Sequence, residues 1–86
     1  MNILSIGGSD PSAGAGIQSD VKTFSNHNAY GFTVVTAITS QNTKKVTSIE
    51  PVSTKSLRTQ IDSIFSDFHG LSLTRLDFLG ILIDFR

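Results

Sequence analysis

The chain has no cysteine among its 86 residues and only two prolines. Without thiols there is no disulfide frame, no thiolate metal site and no thiol nucleophile, which fits a reducing cytoplasmic setting. An excess of charge of one sign is missing too: seven basic and seven acidic side chains, scattered without runs, cancel to a net charge of zero. No positive stripe exists to attract a phosphate backbone or an anionic surface, so neither nucleic acid nor membrane is expected as a partner. Long apolar runs are also lacking. Met1-Asn2 before Ile3-Leu4-Ser5-Ile6 has no basic flank of a signal peptide, and Leu71 to Phe85 is broken by Arg75, Asp77 and Asp84, too short a stretch to cross a bilayer. The expectation is a soluble, cytoplasmic protein.

What is present suits folding: 38% of residues are hydrophobic. A chain of this size buries only about 60% of the surface its unfolded form exposes, so one small core and one domain are all it can build. Ile3, Leu4 and Ile6 read as a buried strand that stops at Gly7-Gly8. Ser9-Asp10-Pro11-Ser12-Ala13-Gly14 is rich in residues that bond their own backbone or fix φ, which makes it a loop. A helix follows from Gly14 or Ala15 to about Asn26–Asn28, with Ile17, Val21 and Phe24 on one face. Phe32 to Ile38 reads as a strand covered on both faces, Thr39 to Thr43 as a polar break, and Val46 to Val52 as a short strand closed by Pro51. Ser53 or Thr54 can cap a second helix whose Leu57, Ile61, Ile64, Phe65 and Phe68 form a strip, while Lys55, Arg58 and Asp62 face water. A last strand falls over Phe78 to Phe85. The order β, α, β, β, α, β predicts a layered α/β sheet with a βαβ unit.

In open α/β sheets ligands bind beyond the carboxyl ends of the strands, and the two polar clusters, Gly7 to Gly16 and Thr39 to Thr43, both fall there. The glycine-rich loop invites a phosphate reading through its backbone N–H groups and the helix start. It lacks the Gly-Lys-Ser/Thr of a P-loop and the third glycine of a dinucleotide fingerprint, so motif rules alone favour a plain loop-into-helix turn. Asp20, one turn after Gly16 and beside Ile17, points toward the sheet edge or is a solvated helix carboxylate. Gln41 offers a donor and an acceptor side by side, the complement of an aminopyrimidine edge, or is a polar residue in a turn. His27 and His69 have no second ligand at metal spacing, so no metal site is expected. Asp62 and Asp67 read as a solvated helix face, and Phe24, Phe65 and Phe68 as core.

Gly8-Ser9-Asp10-Pro11-Ser12-Ala13-Gly14-Ala15-Gly16-Ile17-Gln18-Ser19-Asp20 and Lys22-Thr23-Phe24-Ser25 are followed by Ala29-Tyr30-Gly31 and Val35-Thr36-Ala37-Ile38-Thr39-Ser40-Gln41-Asn42-Thr43, then by Gln60 to Asp67. Together they closely resemble the opening of the hydroxymethylpyrimidine/phosphomethylpyrimidine kinases of thiamine biosynthesis. The match runs over residues 2–67, residues 68–86 diverge, and Ala13 stands where that family usually has glycine. The resemblance implies a partial kinase domain over residues 1–86, with a three-layer α/β/α ribokinase-like (Rossmann-like) fold of which the amino-terminal β-α-β-α-β portion is present. It implies phosphorylation of 4-amino-5-hydroxymethyl-2-methylpyrimidine and its monophosphate by ATP with Mg²⁺. It places Gly8, Asp20, Thr39 and Gln41 in the substrate pocket, with Gln41 on the aminopyrimidine edge. The nucleotide site, the Gly-Thr-Gly-Cys anion hole and the catalytic cysteine of such kinases lie further on, so no catalytic residue is assigned here and a truncated, inactive fragment is expected. As partners it implies a small-molecule pyrimidine, with a second copy of the chain or a complementing carboxyl-terminal fragment as protein partner. The alternatives are a non-catalytic interaction module, or a fragment of a pyridoxal/pyridoxamine kinase.

Overall fold

The structure is a computed structural model and describes residues 2–67 and 72–76. The elements run β1 (Asn2–Ser9), α1 (Gly16–Asn26), β2 (Tyr30–Gln41), β3 (Val46–Pro51), α2 (Thr54–Asp67) and β4 (Ser72–Leu76). They form one four-stranded sheet in the order β3-β2-β1-β4. β1 pairs in parallel with β2 and with β4, and β3 runs antiparallel to β2. The α/β reading of the sequence holds, as does the β1-α1-β2 unit with both strands pointing the same way.

Alternation along β1 explains the layers. Leu4 and Ile6 join Val34 in a buried cluster against which Leu57, Ile61, Ile64 and Phe65 of α2 pack. Ser5, one residue out of step, meets Asp20 of α1 instead. Successive strand residues face opposite sides, so α1 and α2 cover opposite faces of the sheet. The predicted apolar faces of both helices therefore do what their periodicity requires; Phe68 lies outside the described residues.

Local chemistry sets the helix ends. Ser53 Oγ accepts the Ser56 N–H at 3.1 Å and caps α2, as its residue type favours. At the far end of α1, Asn28 takes φ 57°, and the Ala29 N–H reaches Phe24 O while the Asn28 N–H reaches Ser25 O. Those two bonds form a Schellman closure that occupies carbonyls the helix leaves open.

Two strand boundaries differ from expectation. β1 continues through Gly7-Gly8 to Ser9, with a register shift against β2 at that step. β2 runs on through Gln41, because Thr39, Ser40 and Gln41 pair with Ile49, Ser48 and Val46 of β3. The polar cluster is thus strand, not a break: its backbone groups find partners across the hairpin regardless of side-chain polarity. Nor is β2 covered on both faces throughout. Among the described residues β3 packs on β2 and on no helix, and Ile38 is 53% exposed. The strand expected over Phe78 to Phe85 lies outside the described residues; β4 is earlier, at Ser72–Leu76.

The middle of β2 has an edge partner that is not a strand. Gln60 of α2 donates Nε2 to Val35 O at 2.9 Å and accepts the Val35 N–H on Oε1 at 2.8 Å. One carboxamide thus fills both backbone positions just before β3 takes over at Ala37, leaving no open edge there.

Candidate substrate site

Because β1 and β2 are parallel, their carboxyl ends lie side by side, and the loop after β1 returns over them into α1. A cleft forms there, lined by Gly8, Ser9, Asp10, Ala15, Gly16, Thr39 and Gln41. Three of the four residues expected in a pocket, Gly8, Thr39 and Gln41, are brought together in its wall. Asp20 is not among the lining residues. It is 9% exposed, and its carboxylate accepts a 2.7 Å bond from the buried hydroxyl of Ser5. It is therefore packed against the sheet, and the solvated-carboxylate alternative does not hold.

The loop is organised by Asp10, to which the sequence reading gave no role. Its side chain is almost fully buried. Oδ1 accepts from the Ser12 N–H at 2.9 Å and from Ser12 Oγ at 2.7 Å, and Oδ2 accepts the Ala15 N–H at 2.9 Å. Ala15 is the residue preceding α1 and has no side-chain cap of its own. Asp10 therefore caps the helix from the loop, placing a negative charge where the helix dipole favours one. The Asp10-Pro11-Ser12 run carried the signal, since aspartate commonly bonds the backbone two residues on. Gln18 ties the loop down from α1, accepting the Asp10 N–H at 2.8 Å and donating to Ser9 Oγ at 2.8 Å.

These bonds hold the Asp10 carboxyl below its ordinary range. The Ser12 hydroxyl is the largest cause, the backbone N–H groups of Ser12, Ala15 and Gly14 add to it, and burial opposes it. A carboxyl with a lowered folded pKa binds fewer protons folded than unfolded. Its stabilisation is complete above the ordinary value of 3.8 and is lost as pH falls through the lower folded value. The loop is expected to stay ordered at pH 5 and to loosen only as pH falls below the ordinary 3.8, read by carbon NMR of the Asp10 carboxyl. Ser12→Ala should move that titration upward; an unchanged midpoint would refute the assignment.

Ala13 occupies the left-handed region at φ 62°, a conformation costly for a residue with a Cβ. Ala13→Gly should therefore gain about 0.5 kcal/mol in urea unfolding, the relief of strain outweighing the extra freedom of glycine in the unfolded chain. A loss of stability would show that the strain is absent.

The loop does not fit a nucleotide phosphate. The Ser12 and Ala15 N–H groups that would face an anion are already bonded to the Asp10 carboxylate. Among the described residues no group of three His, Cys, Asp or Glu could hold a metal ion. The cleft can instead present polar groups to a neutral ring. Gln41 Nε2 donates to Thr39 Oγ1 at 2.7 Å, and Thr39 Oγ1 donates to Ser9 O at 2.7 Å.

Fold and cleft together define an α/β sheet of the ribokinase-like kind with a cleft at the carboxyl ends of parallel strands. The chain belongs to the phosphomethylpyrimidine kinase family, which residues 10–72 match. It is 56% identical over 64 residues to the hydroxymethylpyrimidine/phosphomethylpyrimidine kinase of Rhizobium meliloti (strain 1021), covering 74% of this chain and 24% of that protein. The phosphomethylpyrimidine kinase of Clostridium difficile 630 superposes with a TM-score of 0.80 at 42% identity, over 91% of this chain and 35% of that one. The pyridoxal kinase of Staphylococcus aureus, solved with pyridoxal, follows at a TM-score of 0.75 and 30% identity, over 93% and 30% of the two chains. The chain spans about a quarter of the length of the curated relatives it matches.

Proposed function

We propose that the cleft is the pyrimidine-binding side of a hydroxymethylpyrimidine/phosphomethylpyrimidine kinase, acting on 4-amino-5-hydroxymethyl-2-methylpyrimidine and its monophosphate in thiamine biosynthesis in the cytoplasm. The observation that carries this reading is the meeting of Gly8, Thr39 and Gln41 in one wall at the carboxyl ends of β1 and β2. A carboxamide with one donor and one acceptor matches the amino group and adjacent ring nitrogen of an aminopyrimidine. Gly8, Thr39 and Gln41 are proposed to line the ring's pocket. Asp20 is the fourth residue the resemblance assigns, and Asp20→Asn tests it apart from the rest.

Phosphoryl transfer works mainly by positioning the acceptor and stabilising the charge of the moving group. In this proposal the described residues do the first, holding the ring so that its hydroxymethyl oxygen faces out of the cleft. ATP and Mg²⁺, which the family's kinases use, are assigned to the remaining length of such relatives, because the Ser12 and Ala15 N–H groups of the loop are already bonded to the Asp10 carboxylate. Isothermal titration of the chain with the hydroxymethylpyrimidine should show saturable 1:1 binding, and a coupled ATP-consumption assay should show no turnover. Absence of binding would sink the substrate reading; turnover would overturn the division of labour.

A second reading, an interaction module, is favoured by one feature. β3 is exposed along its whole length, and Ile38, Val46 and Ile49 stand out on β2 and β3. Size-exclusion chromatography with light scattering discriminates: self-association that rises with concentration supports a second copy on this sheet, and a compact monomer at all concentrations counts against it.

A further inference from the structure

The bonds around Gln41 decide which way its carboxamide faces. Thr39 Oγ1 lies 2.7 Å from Ser9 O, and a peptide carbonyl can only accept, so the single hydroxyl proton of Thr39 is spent on Ser9. What Thr39 still offers is lone pairs. The carboxamide 2.7 Å away must therefore meet Thr39 with an N–H, since the opposite flip would set two acceptors in contact with no proton between them. The chain of bonds ends on fixed backbone: Ser9 pairs with Ile38 in the sheet, and its hydroxyl is held by Gln18. Thr39 itself is 7% exposed and cannot turn toward water.

One N–H of Gln41 is thus consumed, and Oε1 with the second N–H is left to meet a ligand. We propose that Thr39 is a positioning residue that sets the polarity with which Gln41 reads a heteroaromatic edge. It thereby selects an amino group beside an unprotonated ring nitrogen over a ring carbonyl beside a ring N–H. The inference rests on the reading of the cleft as a pyrimidine site. An aminopyrimidine gives its amino proton to Oε1 and accepts the remaining N–H on its ring nitrogen. The 4-oxo form of the same ring presents the reverse order and is matched only if the carboxamide turns over, which would leave Oε1 against the oxygen of Thr39. Valine at position 39 would keep the shape and remove that constraint, making both orientations available.

The test uses the full chain, with Thr39→Val to delete the hydroxyl and Thr39→Ser to retain it. The probes are 4-amino-5-hydroxymethyl-2-methylpyrimidine and its 4-oxo analogue, titrated calorimetrically. The wild-type chain and Thr39→Ser should prefer the amino probe by about tenfold or more, and Thr39→Val should bind the two within about twofold. An unchanged preference in a Thr39→Val chain that melts like the wild type overturns the proposal. A ligand-free readout judges it separately: the Gln41 side-chain amide protons should exchange with water more slowly than those of exposed Asn26 in the wild-type chain and in Thr39→Ser. Equal exchange at the two positions in the wild type overturns the lock, whether or not Thr39→Val folds. Should the wild type bind neither probe, the pyrimidine reading fails, and with it the selection argued here, while slow exchange would still establish the orientation of Gln41.

Discussion

Gly16→Ala should lower the unfolding free energy by about 3 kcal/mol and distort the cleft. Gly16 opens α1 at φ 66°, and a Cβ built there would sit 2.4 Å from Gly8 O and 3.3 Å from the Asp10 backbone nitrogen. Both obstacles are backbone, so neither can swing away as a side-chain tip could. The left-handed φ adds strain that only glycine avoids. The change would push α1 away from β1 at the point where Gly8 and Gly16 face each other across the cleft, so ligand affinity should fall with stability. Gly14→Ala is the control. Its added Cβ would meet nothing closer than 3.8 Å, and its cost should stay below about 1 kcal/mol. Urea unfolding of the two variants side by side settles the matter, and equal midpoints would show that the close approach of the two backbones is not real.

Gln41→Ala should weaken binding of the hydroxymethylpyrimidine by about ten- to a hundredfold while leaving the fold intact. Truncation removes the donor and the acceptor proposed to meet the ring edge and leaves the ligand's polar groups unpaired, a loss of about 1–3 kcal/mol. The fold should survive because Gln41 belongs to no hydrophobic cluster and its backbone pairing with Val46 is untouched. Pyridoxal, whose ring nitrogen has no amino neighbour, should lose less. Calorimetric titrations with both rings on wild type and variant provide the comparison, and an unchanged pyrimidine affinity would remove Gln41 from the site.

Much of this architecture was legible in the residues. The apolar face of α2 followed from spacing, because a helix shows its buried side every three or four positions, while the structure chose Ser53 over Thr54 as its cap. The strand ends were less so. Gly7-Gly8 read as a stop, yet β1 passes through them, since the ladder with β2 continues past a one-residue shift. Thr39 to Gln41 read as a break because they are polar, but a strand needs backbone partners, and β3 supplies them. The periodicity of α2 carries no signal for Gln60, whose carboxamide pairs with both backbone groups of Val35 in β2.

By itself the sequence determined the α/β class, the loop between β1 and α1, the two helix faces, and the family through the run from Gly8 to Asp67. These are properties of local periodicity, turn chemistry and motif spacing, all of them written within short stretches of chain. Only the tertiary structure decided that Asp10 fills its own loop's anion position, that Asp20 bonds the buried Ser5, and that Ser9, Thr39 and Gln41 form one directed chain of hydrogen bonds. Each of those depends on which groups meet across the sheet, and hydrogen-bond direction is set by the partner that has no proton to give.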